Sequence, residues 1–534
     1  MRNQTRGAGL FIFSCCLLCA AFTAVSGAAA TARLGHIHFP ISCGAAAQAD
    51  FDAGVALLHS FQYDEATQAF HRVAGQDSHC AMAYWGLAMS LYQQLWGWPS
   101  DATLRQGEAY VKEAQRRNAK TKREREYVAA AAAFYQPEPN LSHLARAQAY
   151  SKALAQVYRD NPDDVNAAAF YALSLVALAQ DGGKDLANRK QAIAILNPWF
   201  ARDPDNPGVD HYLIHASDTS QLARYGLAAA RNYARIAPGS AHALHMPSHI
   251  FTRLGYWQDS IRSNIASAAA AEQATQSGRD NEWQYQVHAL SFLEYAYLQS
   301  GRQADARRVI DEVKKVPGAS KAVLAENQAL FEATYDVENH HWGRAAALAQ
   351  PPGKGDRYYR IEIYWARTVG AARAGKLADA REDFRSLNAA YNQTHGGANK
   401  QSNSPEPGRS VMQLEAEAWL EFAEGRRNAA VDTLRKAADK EDAAGVDSLT
   451  MPAREMLGDM LLELHQPAPA LTAYEVSLSE SPERFDALEG AALAADFAGS
   501  TAKTRSYYVR LVKSCGPEAD REEYREARIF LAKN

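Results

Sequence analysis

Alternating Val/Ile/Thr runs are scarce in this chain of 534 residues, which argues against a fold built from strands. Charge of one sign is lacking as well. The 57 Lys+Arg are matched by 61 Asp+Glu and no basic block stands out, so nucleic acid is not an expected partner. Past the first 30 residues nothing is apolar enough to cross a bilayer. Two catalytic signatures are missing too. His211-Tyr212-Leu213-Ile214-His215 has no Glu after its first His, so the zinc-protease pattern fails, and no G-x-S-x-G nucleophile elbow occurs.

Cysteine is sparse, six in all, and three of them (Cys15, Cys16, Cys19) fall in an N-terminal segment that reads as an export signal. Arg2 and Arg6 precede the apolar run Leu10 to Val25, and small residues follow at Ser26-Gly27-Ala28-Ala29-Ala30. The expectation is a signal peptide over 1–30, cleaved near Ala28 or Ala30, and a periplasmic or secreted protein with no transmembrane segment afterwards. Ile12-Phe13-Ser14-Cys15 faintly resembles a lipoprotein site, which makes a lipid anchor the lesser alternative. Cys43, Cys80 and Cys515 remain. An oxidising compartment permits a disulfide between Cys43 and Cys80, whose alternative is two buried thiols.

What the chain has is alanine, hence helix nearly throughout, and a repeat. His211/His215 and His245/His249 share an internal spacing of four and stand 34 residues apart. Thirty-four is the period of the tetratricopeptide repeat, a helical hairpin wanting a small residue at position 8, Gly at 15, Ala at 20, a large apolar residue at 24 and Pro at 32. Gly458, Ala470, Tyr474 and Pro482 fit this pattern, as do Gly54, Ala66 and Phe70; Gly375, Ala380 and Phe384; and Gly425, Ala430 and Leu434. In the centre, Ala192, Gly226 and Ser260 hold position 20 at successive offsets of 34, and Gly301 and Ala306 continue after an insertion around Ala270 to Asp280.

The expected fold is all-α, a right-handed superhelix (α-solenoid) of on the order of ten to twelve such hairpins. An N-terminal arm (31–50) leads into a superhelix (51–395), and a loop rich in Asn, Ser and Pro (396–408) precedes the last repeats (409–534). Gln350 to Gly355 reads as a turn-rich connection.

Four stretches carry a family likeness: Phe51…Ala66…Phe70, Cys80-Ala81-Met82-Ala83-Tyr84-Trp85-Gly86-Leu87-Ala88, His242-Ala243-Leu244-His245-Met246-Pro247-Ser248-His249-Ile250-Phe251 and Pro452-Ala453-Arg454-Glu455. On these the chain resembles exported bacterial tetratricopeptide-repeat proteins over essentially its whole mature length. The resemblance implies the helical superhelix and brings no activity. The wider repeat class is similar to scaffolds that hold peptides or proteins along a concave surface.

The histidines are the chain's own signal. His242, His245 and His249 fall at positions 2, 5 and 9 of one repeat, His211 and His215 at 5 and 9 of the one before, and His288 at 2 of the next. In the repeat class those positions line the concave groove. Imidazoles at helix spacing i, i+4 suit Zn or Cu. A pair from each of two helices completes one tetrahedral site or holds two metals with open positions. Asp210, Asp218 and Glu294 are candidates to orient the rings. Pro247 must kink the helix or start it late, re-aiming His242 and His245 relative to His249. The bland reading is hydrogen-bonding histidines on a packed face.

Acid–base arrangements of His245 with Ser248, or His215 with Ser217 and Asp218, are weaker. For Tyr84, Trp85, Trp96 and Trp98, packing between repeats is expected ahead of a ligand patch. His36 and His38 add ligands only if the arm folds back. Two functions therefore compete: an exported scaffold binding a protein or peptide in its groove, and a metal-binding protein or metalloenzyme.

Overall fold

The computed structural model describes residues 34–138, 140–179, 186–352, 357–395, 410–445 and 449–533. The expected signal peptide, the 396–408 loop and Gly353 to Gly355 lie outside the described residues. Within them the chain is all-α, an α-solenoid of tetratricopeptide-type hairpins. Gln48–His59 turns onto Tyr63–Gln76, Pro207–Ser217 onto Ala223–Ile236, and Ala453–Glu463 onto Pro467–Glu480. Among the described residues no helix is long and apolar enough to cross a membrane.

The repeat pattern has a direct steric cause. Phe70, at position 24, wedges between two helices whose closest points are glycines. A Cβ on Gly54 would stand 2.7 Å from its ring, and one on Gly86 closer still. Tyr474 does the same between Gly458, where an added Cβ would stand 2.6 Å from its ring, and Gly490. A ring needs a gap, and only the missing side chain supplies it. The turns follow the pattern too. Gly301, Gly375 and Gly425 hold position 15 in the left-handed region, at φ of 69°, 73° and 80°. Phe61 takes that same place at φ 57°, a conformation strained for a bulky side chain. The extra residues expected around Ala270 to Asp280 lengthen a second helix, Trp257–Gln276, to 20 residues.

Packing between neighbours alone, the expectation for a simple solenoid, is not what is found. The arm folds back on the centre: the His36 N–H donates to the Asp205 carbonyl at 2.9 Å, and Asn166 Nδ2 to the His38 carbonyl at 3.2 Å. The helix Gln48–His59 then lies against Pro207–Ser217. From the other end, Trp257 Nε1 donates to the Glu483 carbonyl at 2.7 Å and the Gln303 N–H to Asp520 at 2.8 Å. The curl of the coil brings both ends onto the histidine-bearing middle, where polar groups bind them. A disulfide joins Cys43 to Cys80 with Cα atoms 5.1 Å apart, while Cys515 is a buried free thiol.

Candidate metal centre

The helix Pro207–Ser217 starts cleanly: Asn206 accepts from the N–H groups of Gly208 and Val209, and Pro207 opens the first turn. It is buried on nearly every side. The next first helix breaks at Met246 into Ala241–His245 and Pro247–Arg253, because Pro247 offers no backbone donor. The break does not scatter the side chains.

The six histidines come together as two triads and not as one wall. His211, His215 and His242 form the first; His245, His249 and His288 form the second; within each, one ring nitrogen per residue lies within 4.8 Å of the others. His211 Nε2 stands 3.0 Å from His215 Nε2 and 3.0 Å from His242 Nε2. His245 Nε2 stands 3.0 Å from His249 Nε2. The triads adjoin, with the His242 and His245 rings 6.5 Å apart.

The outer nitrogens fix where the protons sit. His211 Nδ1 donates to the His59 carbonyl at 2.6 Å. His249 Nδ1 donates to Asp218 at 2.9 Å. His245 Nδ1 faces Asn264 Oδ1 at 2.7 Å, and Asn264 Nδ2 donates to the Ser260 carbonyl, which turns its oxygen toward the ring. Carbonyls and carboxylates only accept, so these three rings carry their proton on Nδ1 and present a bare Nε2. In the second triad two lone pairs therefore face each other at 3.0 Å with no hydrogen between them. A metal ion between them, or a second proton on one ring, relieves that contact. Three nitrogens on a tetrahedral metal at about 2.0 Å would stand about 3.3 Å apart, near the observed separations.

Protonation is a poor substitute. Burial pushes His211 down to about 3 and His288 to about 4. His215, His242 and His245 are held well below the usual range by burial and by the neighbouring imidazoles. Burial alone would raise the Asp218 carboxyl, but Arg253, 2.9 Å away, and His249 hold it well below the usual range. Asp218 thus orients a ring as an anion. Asp210 accepts from Asn232 at 2.7 Å and Glu294 lines a cavity that reaches His288; no hydrogen bond joins either to the six rings.

Aromatics cover the first triad. Phe61 lies 4.4 Å from His211 and stacks at 5.6 Å on both His215 and His242. Trp96 and Tyr285 each stand 5.7 Å from His242, and Tyr285 Oη donates to the Phe61 carbonyl at 3.2 Å. The second triad is open: His288 is exposed at the bottom of a cleft, although protein surrounds it. One centre is roofed and the other is reachable. Trp96 and Trp98 are 52% and 44% exposed, so they do not pack between repeats as Trp85 does. His36 and His38 stay exposed, His38 beside Asp52 at 3.9 Å, away from the triads. Ser248 reaches only the Nδ1 side of His245, at 3.4 Å, and Asp218 binds His249 and not His215.

Three contributors were missed in the sequence: Phe61, Asn264 and the His59 carbonyl. Two break the repeat rule visibly, a Phe in the glycine slot and an Asn in the slot for a large apolar side chain. His59 left no comparable mark. Its ring lies against Gly208, where an added Cβ would come within 2.5 Å of Nδ1. Gly208→Ala is expected to push that ring aside, destabilise the fold by about 1–3 kcal/mol and loosen the His211 anchor. Thermal melting reads the first effect and metal content the second.

No family model matches the chain, and no curated protein matches it. Among solved structures it is similar to the human IFIT1 dimer with PPP-AAAA, at TM-score 0.36 and 13% identity. It is also similar to the human IFIT1 dimer with m7Gppp-AAAA, at TM-score 0.33 and 14% identity. Each likeness covers 81% of this chain and 90% of that one. Likeness at this level adds nothing to what the helices show, and the PPP-AAAA and m7Gppp-AAAA held there belong to that protein.

Proposed function

We propose that this protein holds two transition-metal ions in adjacent three-histidine centres. The carrying observation is the pair of bare Nε2 atoms on His245 and His249, set 3.0 Å apart by outer hydrogen bonds to Asn264 and Asp218. Histidines kept only for packing have no reason to be locked with lone pairs opposed. Neutral imidazoles suit Zn or Cu. Three ligands per ion leave a coordination position for water or substrate, and the open cleft at His288 makes the second centre the reactive one. The Cys43–Cys80 disulfide supports the expectation of export, where both metals are met directly.

The scaffold reading remains a role for the superhelix outside this wall. At the histidine level Phe61 and Trp96 already lie on the rings, and a groove peptide would have to displace them.

Elemental analysis of natively purified protein is expected to give about two equivalents of metal, and His288→Ala about one. His288 is the variant of choice because it is exposed and its loss leaves the buried helices packed. Protein free of bound transition metal, and unable to take it up on dialysis, would sink the proposal.

A further inference from the structure

The helices Glu282–Gln299, Lys321–Glu338 and Arg357–Arg373 border a cavity of about 470 Å³, the size of a small-molecule site. Trp283, Phe331 and Trp365 give it aromatic walls, and His288 stands among its lining residues, so it abuts the open triad. Among the described residues that line it there is no Lys and no Arg. Glu294, Glu338 and the half-buried Glu362 are its carboxyls, and the two buried ones are unequal. Glu338 is answered by Arg484 at 2.9 Å. Glu294 is 1% exposed and its Oε1 has no hydrogen-bond partner. Burial holds the Glu294 carboxyl well above the usual range; Arg307 offsets this only in part, and Asp336 and Glu338 add to it.

A buried acid whose Oε1 has no hydrogen-bond partner and whose charge Arg307 offsets only in part, in a chamber walled by indole and phenyl rings, is a site arranged for a cation. Ring faces attract positive charge, and a desolvated carboxylate gains most from a direct ammonium contact. The chamber is far too large for a bare metal ion, which the histidines in any case bind better. An ammonium carrying an apolar body uses both features: its charge meets Glu294 and its body fills the space between Trp283 and Phe331.

We infer that this cavity binds a small organic amine, its ammonium on Glu294 and its apolar body among Trp283, Phe331 and Trp365. The site shares His288 with the proposed second metal centre and so names the substrate class that centre would meet. Its existence does not depend on the metal.

Calorimetry on the full chain as purified tests it, with tryptamine as probe and tryptophol, the same indole with a hydroxyl in place of the ammonium, as control. Tryptamine is expected to bind at least about tenfold more tightly than tryptophol. Glu294→Gln should weaken tryptamine by about tenfold or more and leave tryptophol within about twofold. Ser291→Trp, which fills the cavity from the helix Glu282–Gln299, should abolish binding of both. Equal affinity for the two probes, no binding of either, or tryptamine binding untouched by Glu294→Gln overturns the inference. If Glu294→Gln does not fold, the probe comparison on the unaltered chain and the Ser291→Trp variant still decide. Heat of amine binding and metal content are separate readouts, so this inference and the metal proposal fail separately.

Discussion

Arg484→Leu is expected to cost about 3–5 kcal/mol of folding free energy, the usual penalty for removing one partner of a buried ion pair. Arg484 is fully buried. Its Nε donates to Glu455 at 2.8 Å, its Nη2 to Glu338 at 2.9 Å, and its Nη1 to the Tyr295 hydroxyl. Gln299 also donates to Glu338 at 2.6 Å and accepts from the Phe485 N–H at 3.1 Å. One guanidinium therefore ties helices of the central array to the C-terminal repeats. Leucine would strand two carboxyls with no counter-charge. Chemical denaturation should show the loss, and Glu338→Leu/Glu455→Leu added to Arg484→Leu should recover much of it, because the penalty lies in the unpaired charges. Unchanged stability in the single variant would mean that the C-terminal repeats do not rest on this network.

The repeat was legible because its cause is local. A ring at position 24 needs a small residue at position 8, and a turn at 15 needs φ above zero; both leave residue types at fixed spacing. Phase carried one step further, since it brought six histidines from three repeats to one level. It could not divide them. The split into triads depends on side-chain direction around the Pro247 break, and on whether Nδ1 or Nε2 faces inward. That choice is set by His59, Asn264 and Asp218. The His59 carbonyl lies 152 residues from the ring it anchors, brought there by the coil's curl and by the approach Gly208 allows. Asp210 and Glu294 show the same limit from the other side: sequence proximity to a histidine does not tell which way a carboxylate points. Phe61 and Asn264 could have been found, because each occupies a slot whose usual residue is known, and a repeat protein tends to break its own rule where function demands it.

Removing both metals should cost more than removing Arg484. A ligand that binds only the folded state stabilises it by about 4 kcal/mol when its free concentration is a thousandfold above its Kd, so two filled centres give about 8 kcal/mol. The stripped protein is also left with the opposed Nε2 pair of His245 and His249, which must rearrange or gain a proton, and burial resists that proton on His245. A chelator is therefore expected to lower the melting temperature markedly, and one metal per chain to restore only part of the loss. His288→Ala should show about half the chelator effect, because the first triad under Phe61 is intact in that variant. The covered triad should release its ion more slowly than the open one, giving two phases when metal transfer to a coloured chelator is followed in time. Phe61→Gly should speed the slow phase alone, since it removes the roof at a turn where glycine fits the backbone better. A metal-loaded protein whose melting is indifferent to chelation would show that the imidazoles are held by packing, with any ion a passenger.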